Sequence, residues 1–144
     1  RISKFGIIDI SKEKKNAFQF IKSLSIKTPT IYQKVEKLSG GNQQKVVLSK
    51  WLASESEIFI LDEPTNGIDV GTKEEIYELI NQLASRKNAI LFISSYIPEL
   101  MLICDRIIVM REGKIAGELY REDFSEDKIL SLALKSENLM AGEF

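Results

Sequence analysis

Apolar residues recur at helical spacing through the first third of the chain and then gather into short unbroken runs, so a helical stretch gives way to alternating strands and helices. Residues 1–37 read as helical and polar, with Ala17, Phe18, Ile21 and Leu24 on one face behind Ser11 as a cap. Lys27-Thr28-Pro29-Thr30 ends that helix. Residues 42–53 form a second helix opened by the Ser39-Gly40-Gly41 turn, with Val47, Leu48, Trp51 and Leu52 on one side, so Trp51 is expected in the core. Residues 57–61, 89–93 and 106–110 then read as buried strands. Between the first two lies a helix whose face is Ile76, Leu79, Ile80, Leu83 and Ala84, and Thr72-Lys73-Glu74-Glu75 matches a capping box at its start. Strands alternating with helices imply parallel pairing. Arg111-Glu112-Gly113-Lys114 turns the chain into a hairpin strand at 115–120, and Ser125 caps a last helix bearing Ile129, Leu130, Ala133 and Leu134.

Size and charge narrow the reading further. A chain of 144 residues suffices for one domain that buries roughly 68 to 70% of its unfolded surface. Lys and Arg number 20 against 21 Asp and Glu, which argues against electrostatic capture of nucleic acid or of a membrane surface. The longest apolar stretches, 89–93 and 100–104, are five residues each. A membrane-crossing helix needs roughly 20, so a soluble piece is expected. Arg1-Ile2-Ser3-Lys4 opens no secretory segment, and the single cysteine, Cys104, has no intrachain partner. A reducing cytosolic setting follows, with Cys104 a small packed side chain rather than a reactive thiol.

Two strings carry candidate chemistry. In Leu38-Ser39-Gly40-Gly41-Asn42-Gln43-Gln44-Lys45, two glycines at a helix start let the backbone approach an anion, the Ser39 hydroxyl adds a donor, and the helix end adds about half a positive charge. The same three residues Ser-Gly-Gly also make an ordinary capping turn. In Ile58-Phe59-Ile60-Leu61-Asp62-Glu63-Pro64, a strand ends in two carboxylates that leave it on different sides, so one can serve a hydrated Mg²⁺ and the other an attacking water. Alone, this string also reads as a strand ending in a solvated acidic turn. The sequence continues through Thr65-Asn66-Gly67-Ile68-Asp69, where Asp69 is also a local turn former.

Together, in this order and spacing, the two strings resemble the signature motif and the Walker B and D-loop run of ABC transporter ATPase domains. The Asn-Gln-Gln-Lys spelling is similar to that of carbohydrate importers with two ATPase domains per polypeptide, and the chain resembles the C-terminal part of the second domain. The resemblance covers residues 35–120 most clearly. It implies an α/β fold: part of a phosphate-loop NTPase (RecA-like) sheet, with a helical-subdomain piece at 1–52 and a core portion with hairpin and helix at 53–144. No G-x-x-x-x-G-K-[ST] loop occurs, so the phosphate-loop strand, which in the family lies beside the strands matching 89–93 and 106–110, is missing. The gap is expected to close, to recruit another copy, or to lower stability.

The resemblance further implies residue roles. Ser39, Gly40, Gly41 and Gln43 would face ATP held by a partner ATPase domain, intramolecular or in a dimer. Asp62 would hold Mg²⁺ through water, Glu63 would act as general base, and Asp69 would couple the two sites. Ser95 occupies the position of the family's γ-phosphate-sensing histidine, and the chain contains no histidine, so its own composite site is expected to be slow or silent while its signature acts in trans. Ser95 is equally placed to cap the next helix. Membrane permease subunits, and indirectly a solute-binding protein, are the implied partners at the cytoplasmic face of the membrane, with a monosaccharide such as ribose, galactose or xylose as cargo. A nucleoside importer and a non-transport ABC ATPase are the alternatives.

Overall fold

A computed structural model describes residues 3–4, 7–54 and 56–134, which form two compact units, residues 1–91 and 92–144. The first unit opens with two short antiparallel strands, β1 (Ser3–Lys4) and β2 (Ile7–Ile8), where the polar pattern suggested only helix. Helix α1 (Ile10–Ser23) follows, capped by Asp9, whose carboxylate accepts from the Lys12 amide at 3.0 Å; Ser11 already lies inside it. Asp9 wins because a residue outside the helix turns its oxygen onto the free amides of the first turn. Phe18 is exposed, while Ala17, Phe20, Ile21 and Leu24 are half-buried. Ser25 takes the left-handed conformation, φ 50°, that ends many helices.

Helix α2 (Gly40–Leu52) buries Gly41, Lys45 and Leu48, a stripe at i, i+4 and i+7. That stripe is rotated from the expected Val47–Trp51 side: Trp51 is 56% exposed and Val47 is exposed as well. The placement of Trp51 in the core is therefore corrected. Strand β3 (Ile58–Asp62) leads to α3 (Val70–Ser85), which packs against α2 and buries Ile76, Ile80 and Leu83. β3 then neighbours β4 (Ala89–Ile93) in a two-stranded sheet, where the Ala89 amide donates to the Glu57 carbonyl at 2.9 Å.

β3 is not buried on both faces as its unbroken apolar run implied. Phe59 and Leu61 are inside, whereas Ile58 is 69% and Ile60 67% exposed. One face of a pleated strand is covered and the other is apolar but open.

In the second unit, α4 (Ile97–Ile103) precedes the antiparallel hairpin of β5 (Arg106–Arg111) and β6 (Lys114–Tyr120). Glu112 and Gly113 form its two-residue turn, both with positive φ, 51° and 74°, as the right-handed strand twist requires. α5 (Glu126–Leu134) lies on the hairpin. Ile107, Val109 and Ile129 form the core, packed by Leu100, Met101, Leu119 and Leu132. Gly117 leaves room for Leu132, since a Cβ there would meet its side chain at 2.7 Å. Cys104 is half-buried, and burial pushes its thiol up, with the nearby Asp105 and Glu99 carboxylates adding to the shift. An inert thiol is the result.

Among the described residues no ladder joins β4 to β5: the three sheets have two strands each. The architecture is α/β, with the described strands arranged as two-stranded sheets.

The start of α3 departs from the Thr72 capping box. Asp69 is the cap: its Oδ1 accepts from the Thr72 amide at 3.0 Å and its Oδ2 from the Thr72 hydroxyl at 2.9 Å. These two bonds hold the Asp69 carboxyl below its ordinary range, with Lys27 adding to the effect. A carboxyl depressed on folding contributes stability that is present above its unfolded pKa, about 3.9, and is lost as pH falls through the folded value. Asp69→Ala is therefore expected to lower the melting temperature at pH 7, with the difference from wild type shrinking as pH falls through 4 and below. A difference independent of pH would contradict the assignment.

Candidate functional site

The first unit brings the two motif strings together at one corner. Ser39 precedes α2 in extended conformation, φ −62° and ψ 155°, and the Gln43 amide closes the first turn on the Ser39 carbonyl at 2.9 Å. The amides of Gly40, Gly41 and Asn42 precede the first intrahelical bond, so they form the open donor end of α2. Ser39 and Gly40 are exposed, Gly41 is buried.

Gly41 is a glycine because of its neighbour. A Cβ at that position would lie 2.5 Å from Thr72 Cγ2 and 2.8 Å from Thr72 Oγ1, and one on Gly40 would meet the Gly67 carbonyl oxygen at 3.7 Å. Close approach of α2 to the first turn of α3 thus sets the glycine requirement at Gly41, as much as any anion does.

Side chains around the corner are organised by a hydrogen-bond relay. The Lys27 amide donates to Asn42 Oδ1 at 2.7 Å, and Asn42 Nδ2 donates to Ser39 Oγ at 2.8 Å. With its oxygen accepting from Asn42, the Ser39 hydroxyl keeps its own proton to give. Asn42 is the residue that the sequence reading passed over in favour of Gln43. The Gln43 carboxamide turns back, donating to the Leu38 carbonyl at 2.8 Å. This bond ties Gln43 to the preceding loop.

At the end of β3, Asp62 is exposed and Glu63 half-buried. Glu63 has φ 45°, a left-handed conformation rare for a side chain other than glycine or asparagine, and the Asn66 amide closes the turn on its carbonyl at 3.1 Å. Pro64 and Thr65 behind it are almost wholly buried. Their packing holds the strained residue in place, a pattern that clusters at functional sites. Among the described residues no cluster of three or more His, Cys, Asp or Glu forms a closed metal cage. Mg²⁺ does not need one: it keeps several waters and takes one or two carboxylates plus substrate phosphates, which an exposed Asp62 fits.

Ser95 belongs to the second unit and is exposed. It does not act as the cap of α4: that position is Tyr96, whose amide donates to Ser94 Oγ at 2.9 Å, while the Ser94 hydroxyl donates to the buried carboxylate of Glu99. At the other end of α4, the Arg121 guanidinium donates to the Cys104 carbonyl at 2.8 Å and the Leu102 carbonyl at 3.3 Å. A cleft of 560 Å³ in the first unit is walled by α1, α3 and the start of β3, with Phe20, Leu24, Phe59 and Arg86 among its lining. None of Ser39, Gly40, Gly41, Gln43, Asp62, Glu63, Asp69 or Ser95 lines it.

Comparison with known proteins places this geometry. The family described as "ABC transporter" matches residues 4–66. The chain is 52% identical over 136 residues to the L-arabinose transport ATP-binding protein AraG of Geobacillus stearothermophilus, covering 94% of this chain and 26% of that protein. It is 52% identical over 133 residues to the xylose import ATP-binding protein XylG of Geobacillus kaustophilus (92% and 26%) and 50% identical over 136 residues to the ribose import ATP-binding protein RbsA of Clostridium perfringens (94% and 27%). The chain spans about a quarter of the length of these relatives. Among solved structures, a bacterial ABC transporter cassette in dimeric form superposes with a TM-score of 0.71 at 24% identity, over 84% of this chain and 52% of that one. The ADP conformation of another ATP-binding cassette gives 0.69 at 23% identity, over 82% and 48%. These two show the fold. With both motif strings on one corner of an ATP-binding-cassette fold, and half its residues shared with sugar-import ATP-binding proteins, the chain belongs to the ABC transporter ATP-binding family.

Proposed function

We propose that this chain is part of the ATP-hydrolysing subunit of a monosaccharide importer and supplies a signature corner to ATP held by a partner ATPase domain. The observation that carries the reading is the relay from Lys27 through Asn42 to Ser39, which leaves the Ser39 hydroxyl its proton to donate beside the open amide end of α2. Donors fixed before the reaction stabilise charge that develops on a transferring phosphoryl group at no reorganisation cost. The relatives named for arabinose, xylose and ribose support a pentose or similar sugar as cargo.

In this reading, Ser39 and the Gly40 amide donate to γ-phosphate oxygens of the partner's ATP, and water attacks that phosphorus as the bond to the ADP oxygen breaks. Gly41 sets the helix close enough to α3 for the corner to keep its shape. Gln43 supports the loop that leads into it. In the chain's own composite site, Glu63 accepts the proton of the attacking water, and Asp62 is the residue that would hold Mg²⁺ through a water. Bound Mg²⁺ would neutralise phosphate charge there. Asp69, on the same loop, lies where contact with the partner would couple the two sites. Ser95 has neither a cationic form nor an imidazole's proton relay, which makes that own site the slower one. Membrane permease subunits are the further partners, at the cytoplasmic face of the membrane, with a solute-binding protein acting through them. No helix among the described residues is long and apolar enough to cross a membrane.

The two composite sites therefore respond differently to substitution. In the full-length protein, Ser39→Ala is expected to lower steady-state ATP hydrolysis by roughly 10²-fold, the scale of losing one preorganised donor. Glu63→Gln removes a base whose loss costs about 10² to 10⁴ at its own site, yet lowers the total rate by less than about twofold because that site contributes little. Equal losses for the two variants would refute the asymmetry.

Backbone strain at Glu63 gives an independent check. Glu63→Gly and Glu63→Ala both delete the carboxylate, but only glycine relieves the left-handed conformation. The glycine variant is expected to be more stable than the alanine variant by about 1 kcal/mol in urea unfolding. Equal stabilities would show that the turn is unstrained.

A further inference from the structure

Lys45 is almost wholly buried, 6% exposed, on the face of α2 that also carries Gly41 and Leu48. Its ammonium pairs with the carboxylate of Glu75 on α3 and donates to the Ser25 carbonyl at 3.4 Å, the residue whose left-handed backbone ends α1. One charged group thus joins α2 and α3 to the turn that follows α1. A buried ion pair adds little net stability compared with a well-packed apolar side chain, because desolvation offsets the attraction. What it adds is direction: an ammonium held by acceptors on two different elements fixes both the rotation of α2 about its axis and its position along α3.

The second fixed point is one turn away. Gly41 sits about 6 Å along the axis from Lys45 and receives the Thr72 side chain, which Asp69 holds in turn. Two contacts on one helix face, one steric and one ionic, determine how the first turn of α2 is presented beside the Gly67–Asp69 loop. Rotation about the Gly41 contact would carry Ser39 and Gly40 with it. We infer that Lys45 is a positioning residue, which through Glu75 and Ser25 holds the Ser39–Gly40 corner in register with the loop that follows Glu63. The inference rests on the reading that this corner meets a partner's nucleotide.

The test uses the full-length protein with Lys45→Met, which keeps the length of the side chain and removes its charge, and Lys45→Arg, which keeps the charge. Lys45→Met is expected to melt within about 4 °C of wild type, because the Glu75 carboxylate it leaves behind is half exposed and regains water. Its kcat for ATP hydrolysis is expected to fall by roughly tenfold or more with little change in KM, the signature of a misplaced donor, and Lys45→Arg to recover most of it. Normal folding with kcat within about twofold of wild type would overturn the inference. Should Lys45→Met fail to fold, Glu75→Gln at the half-exposed end of the pair gives the same readout: a fall in kcat supports positioning, and an unchanged kcat overturns it. Ser39→Ala separates the two levels of the argument. A wild type indifferent to Ser39→Ala sinks the proposed function, whereas one sensitive to Ser39→Ala and indifferent to Lys45→Met and Glu75→Gln sinks only the role of Lys45.

Discussion

The approach of α2 to α3 at Gly41 and Thr72 is the constraint on which the corner depends. No side chain fits between them, since a Cβ would come within 2.5 Å of Thr72. The Thr72 side chain in turn cannot swing away without giving up its hydroxyl bond to Asp69, whose other oxygen caps α3 through the Thr72 amide. A helix start, a loop and a second helix are thereby locked by one steric and two polar contacts. The donor end of α2 and the loop that follows the paired carboxylates are therefore a single structural unit, even though about twenty residues separate their strings in the chain.

Around that lock, polar groups are spent on orientation more than on stability. Asn42 points the Ser39 oxygen, the Lys27 amide points Asn42, and Gln43 ties down the preceding loop. Glu63 is held in a left-handed conformation by the buried Pro64 and Thr65. Costs of this kind persist where the surroundings over-determine a conformation. The open apolar face of β3, with Ile58 and Ile60 outward, belongs to the same economy: the strand is placed to present Asp62 and Glu63, and only one of its faces is covered within the chain.

Much of this was legible in the residues, and the misreadings have physical causes. The face of α3 at Ile76, Ile80 and Leu83 follows directly from apolar spacing, whereas the strand Ala89–Ile93 forms as expected but is not buried, with Leu91 and Ile93 exposed. β3 was read as buried on both sides because Ile-Phe-Ile-Leu is apolar throughout, and periodicity cannot say which face of such a run is covered. The buried face of α2 is turned from the Val47–Trp51 side because it carries Lys45, a charged residue that apolar spacing leaves out. A lysine joined to Glu75 and Ser25 breaks that rule, and its spacing of four from Gly41 and three from Leu48 was the available signal. Asp69 and Thr72 each match a cap signal, and only their mutual bonds decide between them. The relay from Lys27 to Asn42 spans fifteen residues and had no sequence signature.

The central claim is that the amides at the start of α2 donate to a nucleotide held by another domain. Hydrogen exchange of Gly40, Gly41 and Asn42 in the full-length protein, with and without ATP under non-hydrolysing conditions, tests it most directly. The account predicts that ATP slows exchange at these three amides in the full-length protein and leaves them unchanged in the isolated 144-residue chain. Unaltered exchange in the full-length protein, or equal protection in the isolated chain, would contradict it.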